Sequence, residues 1–286
     1  MAPPATPADL TITPRDRRFG RGLAQDRWWM AGDPVATAFY NALSITFPKG
    51  EAFFVESVRL FRDGAPPKLE REIRAFVTQE VMHSREHVQF NKRALEAGYD
   101  LKPLEDRVEW RLGITRAKPP IVSLAATMCL EHFTAILANQ LLGNPRHLGT
   151  ADPESAALWR WHAIEEIEHK GVACDTWLHA TKSWPRGKRW KVKAKVMLYV
   201  TRNFIIDRSL GTIALLRQDG ITGPGAWARM LWFAWVRPGM LRRILGAWLA
   251  FFLPRFHPWN HDDRALIARA ESDYDAARLP TGIAAA

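Results

Sequence analysis

The 286-residue sequence predicts an all-α fold, a four-helix bundle with an additional C-terminal helical extension. Three observations predict it. No segment alternates apolar and polar residues in the way of a strand. Two pairs of long segments carry a helical apolar period, and each pair is joined by a turn built from Gly and Pro, as in helical hairpins. Glu-x-x-His occurs in the second segment of each pair, at Glu80-Val-Met-His83 and Glu166-Ile-Glu-His169.

Taken in order, residues 1–27 combine several Pro with alternating charge and no sustained apolar period, and are expected to form an irregular arm without a chemical role. The first bundle helix spans Pro34 to about Arg62, interrupted at Pro48 and Gly50. Asp63-Gly-Ala-Pro-Pro67 breaks it, and the second helix follows from Lys68 to Ala97, ended by Gly98. A charged, polar connection runs to Pro119-Pro120. The third helix, Ile121 to Leu142, is mostly apolar with a single carboxylate, Glu131, and ends at Gly143-Asn144-Pro145. Asp152 as N-cap and Pro153 at the first helical position start the fourth, expected to run unbroken over about 153–182. Residues 28–183 therefore form the bundle. Residues 184–286 form the extension, with helices over about 190–217 and 226–252, a break at Pro238-Gly239, and a short helix after Pro258.

The stretch from Trp161 to His169 organises the rest. His162, Glu166 and His169 stand at i, i+4 and i+7, so they fall within roughly 60° on one helix face. A two-metal carboxylate bundle needs one Glu from each of two helices and Glu-x-x-His from each of the other two, all pointing inward. Glu51, Glu80 with His83, Glu131, and Glu166 with His169 fill that pattern in chain order. Depth along the hairpins tests it separately. Glu51 lies 14 residues before the first turn centre at Ala65 and Glu80 lies 15 after it, while Glu131 lies 17 before the second centre at Leu148 and Glu166 lies 18 after. The competing Glu56 is only nine residues from its turn, about 9 Å off the level of Glu80 at 1.5 Å per residue.

Each residue also has a plainer reading. A single Glu-x-x-His is ordinarily a solvated pair, and Glu51 is favourable at a restarted helix N-terminus. Glu131 has less excuse, since a carboxylate in so apolar a helix is costly unless paired or bound to metal. His162, one turn before Glu166, is expected as a further ligand; His87, one turn after His83, is either an extra ligand or a neighbour that orients one. Glu86, Glu165 and Glu168 lie off the ligand face and are expected to be solvated or ion-paired. His132 points away from Glu131 and is expected to pack or to support the site. No catalytic residue beyond the ligands is evident. Carboxylate and imidazole without thiolate suit iron or manganese and can hold zinc, and Cys129 and Cys174, outside the ligand register, are expected in the core.

Through Glu51, Glu80-Val-Met-His83, Glu131 and Glu166-Ile-Glu-His169 the chain resembles the ferritin-like di-iron carboxylate superfamily. His162 makes the fourth helix similar to that of the arylamine N-oxygenases, where the corresponding His is a third imidazole on the cluster. The stretches PKGE, QEVMHSREH and HAIEEIEHKGVA from Pro48 onward resemble a bacterial family labelled predicted metal-dependent hydrolase. The first two resemblances imply two iron ions and an O2-activating oxygenase or oxidase, with O2, a hydrophobic or amphipathic small molecule and an electron donor as partners. The third implies a dinuclear hydrolase using zinc or manganese, and a non-catalytic iron-binding bundle is the remaining alternative.

Charge divides the chain. Residues 1–181 hold 22 Lys and Arg against 23 Asp and Glu, whereas residues 182–286 hold 18 against 7 together with seven of the thirteen Trp. Arg and Trp interleaved among apolar residues suit a peripheral membrane contact through 184–286 or a cap on the bundle. The same dispersion argues against nucleic acid, for which no motif is present. The longest uncharged apolar run in the extension, Ile244 to Pro254, is far below the ~20 residues that span a bilayer. Two cysteines and no signal-peptide pattern suit a cytoplasmic setting, at the inner face of the membrane if the contact is made.

Overall fold

The computed structural model describes residues 5–23 and 26–278, and among them every regular element is a helix. Asp33 opens α1 (Pro34–Ser44) by accepting from the amides of Val35 and Ala36. After a break at Ile45-Thr46, α2 (Phe47–Arg59) carries Pro48 in its first turn, where its missing N–H costs nothing. The turn after it leads into α3 (Pro67–Glu96), so α2 and α3 form one hairpin. α5 (Pro120–Gly143) and α6 (Pro153–Glu168) form the second, and α2 packs on α5 to join the two.

Three expectations are corrected. The connection before Pro119 holds a helix, α4 (Lys102–Arg116), whose only buried positions are Leu104, Val108 and Leu112. That single narrow stripe, surrounded by charges, hides the helical period. The fourth bundle helix is not continuous: it stops at Glu168 and resumes as α7 (Val172–Ala180). Gly171 lies in the gap, and a Cβ there would collide with the Thr6 hydroxyl and sit 2.9 Å from the Trp259 ring. The helix yields where two other segments cross it. Finally, the helix after Pro258 is a short 3-10 turn followed by α11 (Arg264–Arg278), longer than expected, which packs on α6 and α5.

The extension wraps the bundle. α8 (Arg186–Gln218) lies on α1 and α5, and α10 (Met240–Ala250) on α5, with α9 (Gly223–Trp235) between them. Met197, Phe233 and Phe251 are buried, whereas Trp227, Trp232, Trp235 and Leu249 are exposed, so the extension both caps the bundle and leaves an apolar face bare. By length and composition α5 could cross a membrane, but 72% of its most apolar stretch is buried and it carries Glu131 inward. Residues 1–4, 24–25 and 279–286, parts of the expected arm and extension, lie outside the described residues.

The arm is irregular as expected, but it is not idle. Phe19 packs against fully buried Trp161, ring centroids 5.3 Å apart and tilted by 41°, and Trp161 in turn meets the ring of His83 at 4.9 Å. The arm's Thr13 and Arg15 reach the carboxylates of α6, so it closes one side of the bundle where the candidate ligands lie.

Candidate metal centre

All seven expected ligands are buried and face one another across the four helices. Donor atoms of Glu51, His83, His162 and Glu166 lie within 4.8 Å of one another, and so do those of Glu80, Glu131 and His169. Each Glu-x-x-His is thus divided between the two groups. Glu166 and Glu80 join them. Glu166 places Oε1 2.8 Å from His162 Nε2 and 3.6 Å from His83 Nδ1, and Oε2 3.6 Å from His169 Nε2. Glu80 places Oε1 3.4 Å from His169 Nε2 and Oε2 3.9 Å from His83 Nδ1. Glu51 stands at one end, 3.6 Å from His162 Nε2, and Glu131 at the other, 3.4 Å from His169 Nε2. Glu56 is absent from the cluster and pairs with Arg116 at the surface.

The protonation of each imidazole follows from what its other nitrogen meets. His83 Nε2 lies 3.0 Å from a Glu165 oxygen; the ionised carboxylate accepts there, so with Glu165 ionised Nε2 carries the proton and Nδ1 is bare toward the cluster. His169 Nδ1 donates to the Gln79 carbonyl oxygen at 3.0 Å, leaving Nε2 bare. The third case runs through four residues. The Ser44 hydroxyl donates to Asn91 Oδ1 at 2.6 Å, so it accepts from His87 Nδ1; His87 Nε2 then accepts from His162 Nδ1 at 2.6 Å, and His162 Nε2 is the bare nitrogen. His87 therefore sits behind His162 and orients it, outside both donor groups.

These supports are themselves supported. Glu165 accepts from the Arg15 amide at 2.9 Å, and burial lifts its carboxyl to about 7 against the opposing pull of Arg15. Gln79 donates to Glu168, which accepts from the Thr13 amide and the Arg15 guanidinium. Glu86 is buried and paired with Arg21 and Arg85. Ion pairing thus accounts for all three off-face carboxylates, but Glu165 also orients a cluster histidine. His132 faces away from the cluster: it packs against Phe251 and Phe256 and donates from Nε2 to the Ala247 carbonyl at 3.1 Å, with burial lowering its pKa to about 4. Cys129 and Cys174 are free, buried thiols. The supporting roles of Arg15, Gln79 and Glu165 are not evident in the sequence; a polar residue one position before each of Glu80 and Glu166 is the one signal there.

The cluster is costly as protein alone. Eight of its buried side-chain atoms have no hydrogen-bond partner: Glu51 Oε1, both oxygens of Glu80 and of Glu131, His83 Nδ1, Glu166 Oε2 and His169 Nε2. No Lys or Arg pairs with its four carboxylates among the described residues. Burial, and then neighbouring carboxylates, push Glu51, Glu80 and Glu131 well above the usual carboxylate range. Burial pushes the same way at Glu166, but in the metal-free protein protonation of His169 and His162 on their inward nitrogens outweighs it and holds that carboxyl well below the range. Unpaired buried carboxylates cost several kcal/mol each. Bare imidazole nitrogens beside carboxylates are the donor chemistry of a cation, and two divalent ions match the formal charge of four carboxylates. The residues fit bound metal.

One end of the cluster is reachable. A cavity of about 550 Å³ is lined by Glu51, His162 and Glu166 and otherwise mostly by apolar side chains including Phe47, Phe54 and Leu130, while Glu80, Glu131 and His169 are not on its wall. Replacing Glu165 by Ala is expected to lower metal affinity ~10–100-fold, the usual effect of removing a group that orients a ligand. Competition with a chromophoric chelator reads that change.

Fold and site together define an all-helical protein with a buried carboxylate–imidazole centre suited to metal. The chain belongs to the family described as predicted metal-dependent hydrolase, whose model matches residues 13–262. Comparison with curated proteins and with solved structures gave no match.

Proposed function

We propose that this chain is a dinuclear metal enzyme, with Glu51, Glu80, His83, Glu131, His162, Glu166 and His169 holding two iron ions, and that it uses O2 and an external electron donor to oxidise a hydrophobic small molecule. The observation that carries the reading is the inward-facing set of four carboxylates and three bare imidazoles from α2, α3, α5 and α6 with its C-cap His169, the arrangement of the di-iron and di-manganese bundles. When bound, a ferrous pair supplies electrons to O2.

The chain's own residues do the rest. Glu80 and Glu166 span the two donor groups, and Glu51 and Glu131 close its ends. Glu165, Gln79 and His87 fix the imidazole tautomers and so keep each inward nitrogen free of a proton. Phe47 meets both the His87 and His162 rings at 4.6 Å and screens them. The apolar cavity excludes water and brings a hydrophobic substrate to Glu51, His162 and Glu166.

The family description favours a second reading, hydrolysis, in which the same residues hold zinc or manganese and a bound water becomes acidic enough to act as nucleophile. Protein loaded separately with Fe(II), Zn(II) or Mn(II) separates the two. Reductant-dependent O2 uptake with iron alone is the expected result. Ester or amide turnover by the zinc or manganese form without O2, and no O2 uptake by the iron form, would replace the first reading by the second. Iron uptake far beyond two ions per chain without turnover would indicate storage.

A further inference from the structure

The cavity has a second chemistry away from the candidate centre. Arg107, Arg111, Lys118, Lys195 and Arg208 line it against one carboxylate outside the centre, Asp207. Asp207 accepts from Arg107 Nε at 2.7 Å and Arg111 Nε at 2.9 Å, so one negative charge serves two guanidinium groups. Half-buried Arg208 donates to the Ala42 carbonyl, and burial lowers its pKa to about 10. Lys118 and Lys195 are exposed, without an ion pair among the described residues. One helical turn before Asp207, Asn203 also lines the cavity; it is 6% exposed and its buried Oδ1 has no hydrogen-bond partner. The buried Tyr40 hydroxyl, likewise on the cavity wall, has none either.

A purely apolar ligand would leave Asn203 and Tyr40 unpaired and place hydrocarbon beside uncompensated cations. A ligand with one oxyanion and a long apolar body would answer the cations and Asn203 while keeping hydrocarbon on the apolar wall. Guanidinium groups grip carboxylates through paired N–H donors, and an amide can turn its NH2 end toward the same oxygen. The volume lies within the ~300–1,000 Å³ of ordinary small-molecule sites.

We propose that the cavity binds an anionic amphiphile of the fatty-acid type, its carboxylate held by Arg107, Arg111, Arg208 and Asn203 and its hydrocarbon chain running toward Glu51, His162 and Glu166. That the bound molecule is also the substrate rests on the enzymatic reading above; the binding itself does not. The head group fixes which end of the chain meets the centre.

Calorimetric titration of the full chain, metal-free and metal-loaded, with dodecanoate and with dodecanol tests this. The acid is expected to bind at least about tenfold more tightly than the alcohol, as a charge-assisted contact requires. Arg107→Gln with Arg111→Gln should remove that preference and leave dodecanol binding unchanged, and Lys195→Gln, which takes one exposed cation from the positive field of the same wall, should reduce it in a chain whose fold is undisturbed. Equal affinity for acid and alcohol in the unaltered protein, or a preference unmoved in the folded variants, overturns the proposal. Preferential acid binding by a protein that holds no metal would sustain it while refuting the enzymatic reading; turnover of neutral apolar compounds with no preference for the acid would do the reverse.

Discussion

Replacing Glu166 by Ala is expected to abolish the centre as a pair. Its two oxygens face His162 and His83 on one side and His169 on the other, so no other single substitution touches both donor groups so directly. Metal content should fall from two ions per chain to one or none, and turnover by more than ~100-fold, beyond the usual effect of losing a residue that merely orients a ligand. Glu56→Ala provides the matched control, since Glu56 lies on the same helix as Glu51 but pairs with Arg116 in solvent. Plasma emission analysis of the purified variants reads the outcome. A Glu166→Ala protein retaining two ions would remove Glu166 from the ligand set.

The second large effect concerns stability and pH. The carboxyls of Glu51, Glu80 and Glu131 are raised well above their ordinary value of 4.5 by burial and then by neighbouring carboxylates, Glu166 among them in every case. A folded pKa above the unfolded one means that the folded state keeps protons the unfolded chain releases. Their contribution is therefore full below pH 4.5 and is lost as pH rises toward the raised values. His83 and His87, lowered by burial from 6.5, act in the opposite sense: their contribution is full above pH 6.5 and is lost as pH falls toward the lowered values. Above pH 6.5 only the carboxyl effect still changes, so the melting temperature of metal-free protein should fall from pH 6.5 to pH 8.5. Metal replaces the protons, so its affinity should rise over the same range. At a thousandfold excess over Kd it adds ~4 kcal/mol, roughly 8 °C for a chain of this size. Calorimetric melts of both forms across this range check the prediction; parallel curves would show that the carboxyls do not carry the cost.

How far the sequence can be read depends on which physical signal each residue leaves. Glu51, Glu80, Glu131 and Glu166 are legible because helical period and hairpin depth are geometric constraints that a linear sequence preserves. His87 is not resolved by spacing: its place behind His162 depends on Ser44 of α1 and on Asn91, one turn further along α3, which together set its tautomer. The role of Glu165 is hidden for a related reason. Beside Glu166 it points to a different neighbour, and only the folded arm brings Arg15 to it. α4 escapes notice because three buried residues in a charged segment leave almost no periodic signal. The stop at His169 escapes it because Gly171 answers to Thr6 and Trp259, both remote in sequence. Local periodicity carries the elements and the ligands; contacts between distant segments carry what orients them.

The most direct test is a crystal structure of protein purified with Fe(II), with anomalous data collected at the iron edge. Two ions per chain are predicted. One lies among Glu51, His83, His162 and Glu166, the other among Glu80, Glu131 and His169, with His162 Nε2 on the first. A single ion, ions bound elsewhere, or His162 turned away with His87 in its place would contradict the account.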